Sequence, residues 1–117
     1  MINDDDLPLA GVKVVDLTTI LFGPYTSQIL GDLGADVIKI EAPSGDPMRA
    51  IGPARNEGMS SIFLGANRNK RSLVLDLKIE VARRALWRLI EKSDMFIHNI
   101  RPQKILGLGF DSDSVLA

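Results

Sequence analysis

An α/β fold, a parallel sheet with flanking helices, is predicted by two features of these 117 residues. The first is a strand, helix, strand pattern over residues 12–41, about the 30 residues that one βαβ unit occupies. The second is an amphipathic segment from Ile79 to Lys92 set between two further short runs, Ser72–Asp76 and Met95–Ile97. Crossover helices of this kind join parallel strands through right-handed connections. With 45% hydrophobic and 25% charged residues, the chain has the ordinary composition of a folding globular domain, and its length suits one compact unit.

Val12-Lys13-Val14-Val15-Asp16-Leu17 is β-branched and mostly apolar, the pattern of a buried strand. Gly23-Pro24 follows, and a proline suits the first turn of a helix because it has no N–H to leave unpaired, so the first helix is expected to begin at Pro24. Ile29, Leu30 and Leu33 keep helical spacing, and Gly34 stands where a left-handed residue ends a helix, ahead of a second strand, Val37-Ile38-Lys39-Ile40. Residues 42–60 are rich in Gly, Pro, Ser and Asn and read as a long surface excursion, a feature that in compact domains tends to be functional. Ser72–Asp76 is the third strand. The helix over 79–92 places Ala82, Leu86, Leu89 and Ile90 on its core side and Arg84, Arg88 and Lys92 on a solvated face. Met95-Phe96-Ile97 is the fourth strand, and a short turn from Arg101 leads into the opening of another helix.

Composition removes much chemistry. There is no cysteine and one histidine, His98, which excludes disulfides, thiolate zinc sites, a Cys nucleophile and a multi-His metal site. A formal charge of −1 gives no bulk attraction to nucleic acid or anionic lipid. The start, Met1-Ile2-Asn3-Asp4-Asp5-Asp6, is acidic where a signal peptide is basic, and no apolar run reaches membrane-helix length, so a cytoplasmic chain is expected.

Charge is unevenly placed: residues 42–104 carry twelve Lys and Arg against six Asp and Glu. Within them, Arg68-Asn69-Lys70-Arg71 is a loop cluster of three cations that could hold a phosphate-rich ligand, a solvated loop being the alternative. The junction after the first strand, Thr18-Thr19-Ile20-Leu21-Phe22-Gly23-Pro24, lacks G-x-G-x-x-G, and no G-x-x-x-x-G-K-[ST] occurs, which argues against dinucleotide binding and P-loop phosphoryl transfer. His98 and Asn99 fall at the carboxyl end of a strand, the edge where open α/β sheets take ligands, although a histidine hydrogen-bonded at a strand end explains His98 as well. Asp16, Asp36 and Asp76 lie in or beside strands, where capping or pairing with Arg accounts for them at least as well as acid–base catalysis.

Four ordered stretches resemble one family. They are Leu9 to Leu17 with Gly23-Pro24; Leu30-Gly31-Asp32-Leu33-Gly34-Ala35-Asp36-Val37-Ile38-Lys39-Ile40-Glu41-Ala42-Pro43 with Gly45-Asp46 and Arg49; Asn69 to Lys78; and Ser93 to Asn99 with Arg101-Pro102 and Leu108-Gly109-Phe110. Together they are similar to the opening of the family III CoA-transferases, a group that includes formyl-CoA and carnitine CoA-transferases and alpha-methylacyl-CoA racemase. The resemblance implies a Rossmann-like sheet, incomplete relative to the family's full large domain, in an enzyme about three times this length whose two subunits interlock. Residues 1–117 would be its N-terminal portion. In the transferases an aspartate attacks the acyl-CoA, a covalent route that divides one hard transfer into easier steps. The resemblance puts that aspartate beyond residue 117, so no catalytic residue is assigned here.

The resemblance also implies contacts to coenzyme A, bound as acyl-CoA substrate rather than as a permanent cofactor. Thr19, Ile20, Leu21 and Phe22 match the segment along the pantetheine, Leu75 the strand-three residue at the adenine, and Asn99, Ile100 and Arg101 the strand-four edge at the nucleotide. Arg71 and Lys104 are candidate phosphate contacts. Ala42 and Gly107 stand where many relatives carry basic residues, which predicts a weakened hold on the phosphates. Transfer of CoA between carboxylic acids is the first functional reading. The alternatives are a racemase fragment and a non-catalytic CoA-binding or self-associating domain. Elements that cover the sheet in the larger enzyme are expected to be missing, leaving an apolar sheet face that drives dimerisation or higher self-association.

Overall fold

Side chains of β1, β2 and β4 alternate between the two faces of the sheet, and that alternation decides what each helix layer covers. The structure is a computed structural model and describes residues 3–117; Met1 and Ile2, the first residues of the acidic stretch read above, lie outside the described residues. In chain order the elements are β1 (Lys13–Leu17), α1 (Phe22–Asp32), β2 (Asp36–Glu41), α2 (Ser61–Asn67), β3 (Lys70–Val74), α3 (Glu80–Glu91), β4 (Met95–His98), α4 (Pro102–Leu108) and α5 (Ser112–Leu116), with 3₁₀ turns at Asp4–Asp6 and Pro47–Ala50. The four strands are all parallel in the order β3-β2-β1-β4, so the predicted α/β class is the observed one. Val14 is paired with Val37 on one side and Met95 on the other.

Val15, Leu17, Ile38 and Ile40 face α3 and the C-terminal helices, where they join Leu86, Ile90, Ile105 and Phe110 in the larger core. The Trp87 and Phe110 rings pack there with centroids 5.1 Å apart. Val14 and Val37 face the opposite way and pack with Ala35, Leu30 and Ile97. Burying each such aliphatic side chain stabilises the fold by roughly 1.5–3 kcal/mol. The two central strands are therefore covered on both faces: Val14, Val15, Val37 and Ile40 are each at most 2% exposed. The expected bare apolar surface of the sheet is reduced to its edge, as at β3, where Leu73 and Val74 are exposed. A second exposed apolar stripe runs along α1 to the residue that ends it, at Phe22, Tyr25, Ile29 and Leu33.

Several boundaries differ from the sequence reading. Helix α1 begins at Phe22, two residues before Pro24, because proline is tolerated throughout a first turn whose N–H groups have no helical partner. Strand β3 begins at Lys70 rather than Ser72, since Lys70 and Arg71 join the ladder opposite Val37 and Ile38. The excursion over 42–60 is anchored as well as exposed: Asp46, Met48 and Ser60 are buried. Helix α2 has no counterpart in the sequence reading. Its start is capped by Ser60, whose Oγ accepts from the Phe63 N–H at 3.1 Å, and Phe63 and Ala66 give it a buried side. The tail forms two short helices rather than one. Arg84 and Arg88 on α3 and Lys92 at its C-cap are exposed, as the spacing predicts.

Gly23 is needed for the close approach of α1 to β1's loop. A Cβ there would lie 2.5 Å from the Thr18 Cβ, and Thr18 is itself buried. Gly23→Ala is expected to cost about 1–3 kcal/mol, read as a lower urea midpoint with an unchanged slope; an unchanged midpoint would mean the loop yields freely.

Candidate functional site at the carboxyl edge of the sheet

The strand order reverses direction after β1: β2 and β3 lie to one side of it and β4 to the other. Loops leaving the carboxyl ends of β1 and β4 diverge there, and open α/β sheets bind ligands at such a point. Here the two loops are tied together. The Asn99 amide group donates from Nδ2 to the Thr19 carbonyl at 2.8 Å and accepts the Thr19 N–H on Oδ1 at 3.1 Å. His98 accepts the Ile100 N–H on Nδ1 at 3.2 Å, the strand-end role that its position allowed.

Beside this tie lies a cavity of about 260 Å³ lined by Leu17, Thr19, Ile40, Ala42, Leu75, Asp76, Leu77, Lys78, Ile100, Lys104 and Leu108. Its walls are aliphatic, while Lys78 and Lys104 supply positive charge. Thr19, Leu75, Ile100 and Lys104, drawn from three separate parts of the chain, thus share one cavity, with Asn99 adjoining it through Thr19. Ile20, Leu21 and Phe22 continue from Thr19 into the start of α1 and are exposed. Arg101 precedes α4 and its carbonyl accepts the N–H groups of Lys104 and Ile105. Sequence reasoning missed Leu17, Ile40, Leu77, Lys78 and Leu108; Leu77-Lys78, directly after Asp76, was the readable signal.

Arg71 stands apart from this group. It lies on β3 opposite Ile38, and its guanidinium binds both Asp36 oxygens at 2.7 and 2.8 Å. The cations around it are paired in the same way: Arg68 with Asp32 at 2.7 Å and Lys70 with buried Asp16 at 3.2 Å. The predicted cluster is thus not a free loop, since Lys70 and Arg71 lie on β3 and each of the three cations has its own acid partner. Burial lowers the Lys70 ammonium below its usual value, with Asp16 opposing.

On the α1 face of the sheet the polar side chains of β1 and β2 form a buried network. Glu41 accepts from Arg49 at 2.6 and 2.8 Å, from Ser72 Oγ at 2.8 Å and from the Asp46 N–H at 2.9 Å; Arg49 also lies 3.9 Å over the Phe63 ring. Burial alone would raise the Glu41 carboxyl, but these bonds outweigh it and hold it down from 4.5 to about 2. A carboxylate depressed in the folded state stabilises above its unfolded pKa and loses that contribution as pH falls through its folded one. Glu41 is therefore expected to contribute up to about 3 kcal/mol above pH 4.5, lost progressively towards pH 2. Denaturant melts across this range should fall less steeply for Glu41→Gln; parallel curves would remove Glu41 as the source.

A parallel sheet with an aliphatic, lysine-bearing cavity at its switch point defines an α/β domain with a candidate ligand site. The chain belongs to CoA-transferase family III, whose model matches residues 9–117. It is 40% identical to mouse succinyl-CoA:glutarate CoA-transferase over 117 residues, covering 97% of this chain and 27% of that protein. It is 41% identical over 102 residues to the alpha subunit of succinyl-CoA–L-malate CoA-transferase from Chloroflexus aurantiacus, covering 86% of this chain and 24% of that one. The crystal structure of a CAIB/BAIF family protein from Brucella suis superposes with a TM-score of 0.88 at 42% identity, over 93% of this chain and 30% of that chain. The chain thus spans about a quarter of the length of the curated relatives it matches.

Proposed function

We propose that these residues form the N-terminal, CoA-binding portion of an enzyme that transfers CoA between carboxylic acids. The observation that carries this reading is the aliphatic cavity at the switch point, which gathers Thr19, Leu75 and Ile100, residues that the family resemblance separately assigns to CoA, together with the candidate phosphate contact Lys104. A flat base fits between Leu75, Leu77 and Ile100, while Lys78 and Lys104 can neutralise phosphate. Ala42 lines the same cavity without charge, so the phosphates rely on these two lysines. The named relatives are transferases that use succinyl-CoA, which supports transfer over racemisation and succinyl-CoA as a donor. The buried acids are already engaged: Asp16 by Lys70, Asp46 by Lys39 and Glu41 by Arg49. In this reading residues 1–117 bind CoA and need further sequence for turnover. A chain without cysteine needs no oxidising compartment, and the cytoplasm is its place in this proposal.

Calorimetry with CoA on the purified chain tests the reading. A dissociation constant of roughly micromolar or weaker is expected, weakening further with salt as the lysine contacts are screened. No heat at millimolar CoA would overturn it. Self-association belongs to the same proposal, supported by the exposed apolar stripe Phe22, Tyr25 and Ile29 along α1; a strictly monomeric chain in light scattering would remove that part.

A further inference from the structure

Ile20 has a φ of +77°, a conformation that β-branched residues avoid. It lies half exposed in the loop between β1 and α1, so burial of its side chain does not explain the strain. Its surroundings do. Lys39 Nζ donates to the Thr18 carbonyl at 2.9 Å, Asn99 holds both backbone groups of Thr19, and Asp46 Oδ1 accepts the Ile20 N–H at 3.3 Å. Three successive residues are thus gripped by side chains from β2, from the segment after β2, and from the end of β4.

Two of the three grips are the halves of one ion pair. Lys39 and Asp46 meet at 2.9 Å with side chains 2% and 0% exposed. Such a pair is weak grounds for stability, because removing two charges from water offsets most of their attraction. Both groups spend their remaining hydrogen-bonding capacity largely on backbone. Lys39 reaches Thr18, and Asp46 takes the N–H of Ile20 and of Met48, the latter at 3.0 Å. Asp46 is itself fixed through its N–H, which donates to Glu41 at 2.9 Å.

We propose that the buried Lys39–Asp46 pair, with Asn99, is a brace that holds Ile20 left-handed and so presets the Thr18–Phe22 loop for its ligand. Lys39 and Asp46 are then positioning residues: neither lines the cavity, and both act through the backbone of Thr18 and Ile20, which flank the lining residue Thr19. The CoA part of this inference rests on the function proposed above, whereas the brace itself does not. Strained backbone persists where the surroundings over-determine it, and it concentrates at ligand clamps. A preset loop spares the ligand the ordering cost on binding.

The test combines Lys39→Met/Asp46→Asn, which neutralises both partners together, with Ile20→Gly, which removes the penalty of the left-handed conformation. The paired variant is expected to lose hydrogen-exchange protection at the Ile20 amide and to bind CoA about tenfold more weakly. Adding Ile20→Gly should recover a large part of that loss, a rescue that a merely structural role for the pair would not produce. In the otherwise unchanged chain, Ile20→Gly should leave the thermal midpoint within about 2 °C, because relief of strain offsets the added freedom of the unfolded chain. This arm stands even where the paired variant fails to fold. A protected Ile20 amide in the paired variant with unchanged CoA affinity would overturn the brace, as would a midpoint fall of about 6 °C or more for Ile20→Gly. Loss of protection in the paired variant beside a parent chain that ignores CoA would instead uphold the brace and reject the CoA reading.

Discussion

Asp16→Ala is expected to cost about 3–5 kcal/mol, the penalty for leaving a buried cation without its partner, and so to leave the chain close to unfolded given a typical stability of about 5–15 kcal/mol. Asp16 is fully buried. Its carboxylate accepts from the Thr18 N–H at 2.8 Å, from the Thr18 and Ser27 hydroxyls, and from Lys70 at 3.2 Å. One acid thereby fixes the exit of β1, a buried residue of α1 and the first residue of β3. Truncation strands the Lys70 ammonium with only Pro24 O at 2.7 Å and Asn67 Oδ1 at 2.8 Å. The control is the pair Asp16→Asn/Lys70→Met, which removes both charges and should be markedly more stable than Asp16→Asn alone. Urea unfolding of the set reads the coupling. A loss below about 1 kcal/mol for Asp16→Ala would show that Pro24 and Asn67 suffice to hold Lys70.

The same network explains what could be read in advance. Strands β1, β2 and β4 and helix α3 were legible because each is carried by local pattern, an apolar β-branched run or residues at helical spacing. Strand β3 was misplaced by two residues because its first two are cations, and charge read locally suggests a solvated loop. Their neutralising partners, Asp16 and Asp36, lie 54 and 35 positions away, and no local window contains such pairs. Asp46 and Ser60 were hidden for a related reason: polar residues in a Gly- and Pro-rich stretch look solvated until the fold brings Lys39 and the Met48 carbonyl to them.

The candidate site divides along the same line. Family resemblance pointed to Thr19, Leu75, Asn99 and Ile100, and the strand order then brings them to one edge, with Lys104 beside them. Pattern alone had no means of joining Leu17 and Ile40 to them, because both read simply as core. They are core: each is buried under the helices, and each closes the floor of the cavity with what side-chain surface remains. Arg71 illustrates the opposite case. Its sequence neighbourhood matches the family, yet its position on β3 and its three bonds to Asp36 direct its charge away from the cavity.

Leu75→Trp should have the largest effect on ligand binding, weakening CoA by at least about a hundredfold, or about 2.8 kcal/mol. Leu75 follows β3, where its N–H donates to the Glu41 carbonyl at 2.9 Å, a bond that any non-proline residue can keep. Its side chain is half-buried and faces a cavity of about 260 Å³, so an indole can enter open space instead of overpacking the core. The ring would fill the slot that a purine needs between Leu77 and Ile100, while Lys78 and Lys104 stay in place. Stability should change little, with a thermal midpoint within about 4 °C of the parent, equivalent to less than about 1 kcal/mol. Lys104→Met provides the contrast: it leaves the slot open, should weaken CoA by about tenfold, and should flatten the salt dependence because one charge is removed from the phosphate side. Shape and charge therefore separate in the two variants, one weakening binding similarly at every ionic strength and the other losing most at low salt. Wild-type affinity in a folded Leu75→Trp chain would place the nucleotide elsewhere, and the cavity at the switch point would no longer be its site.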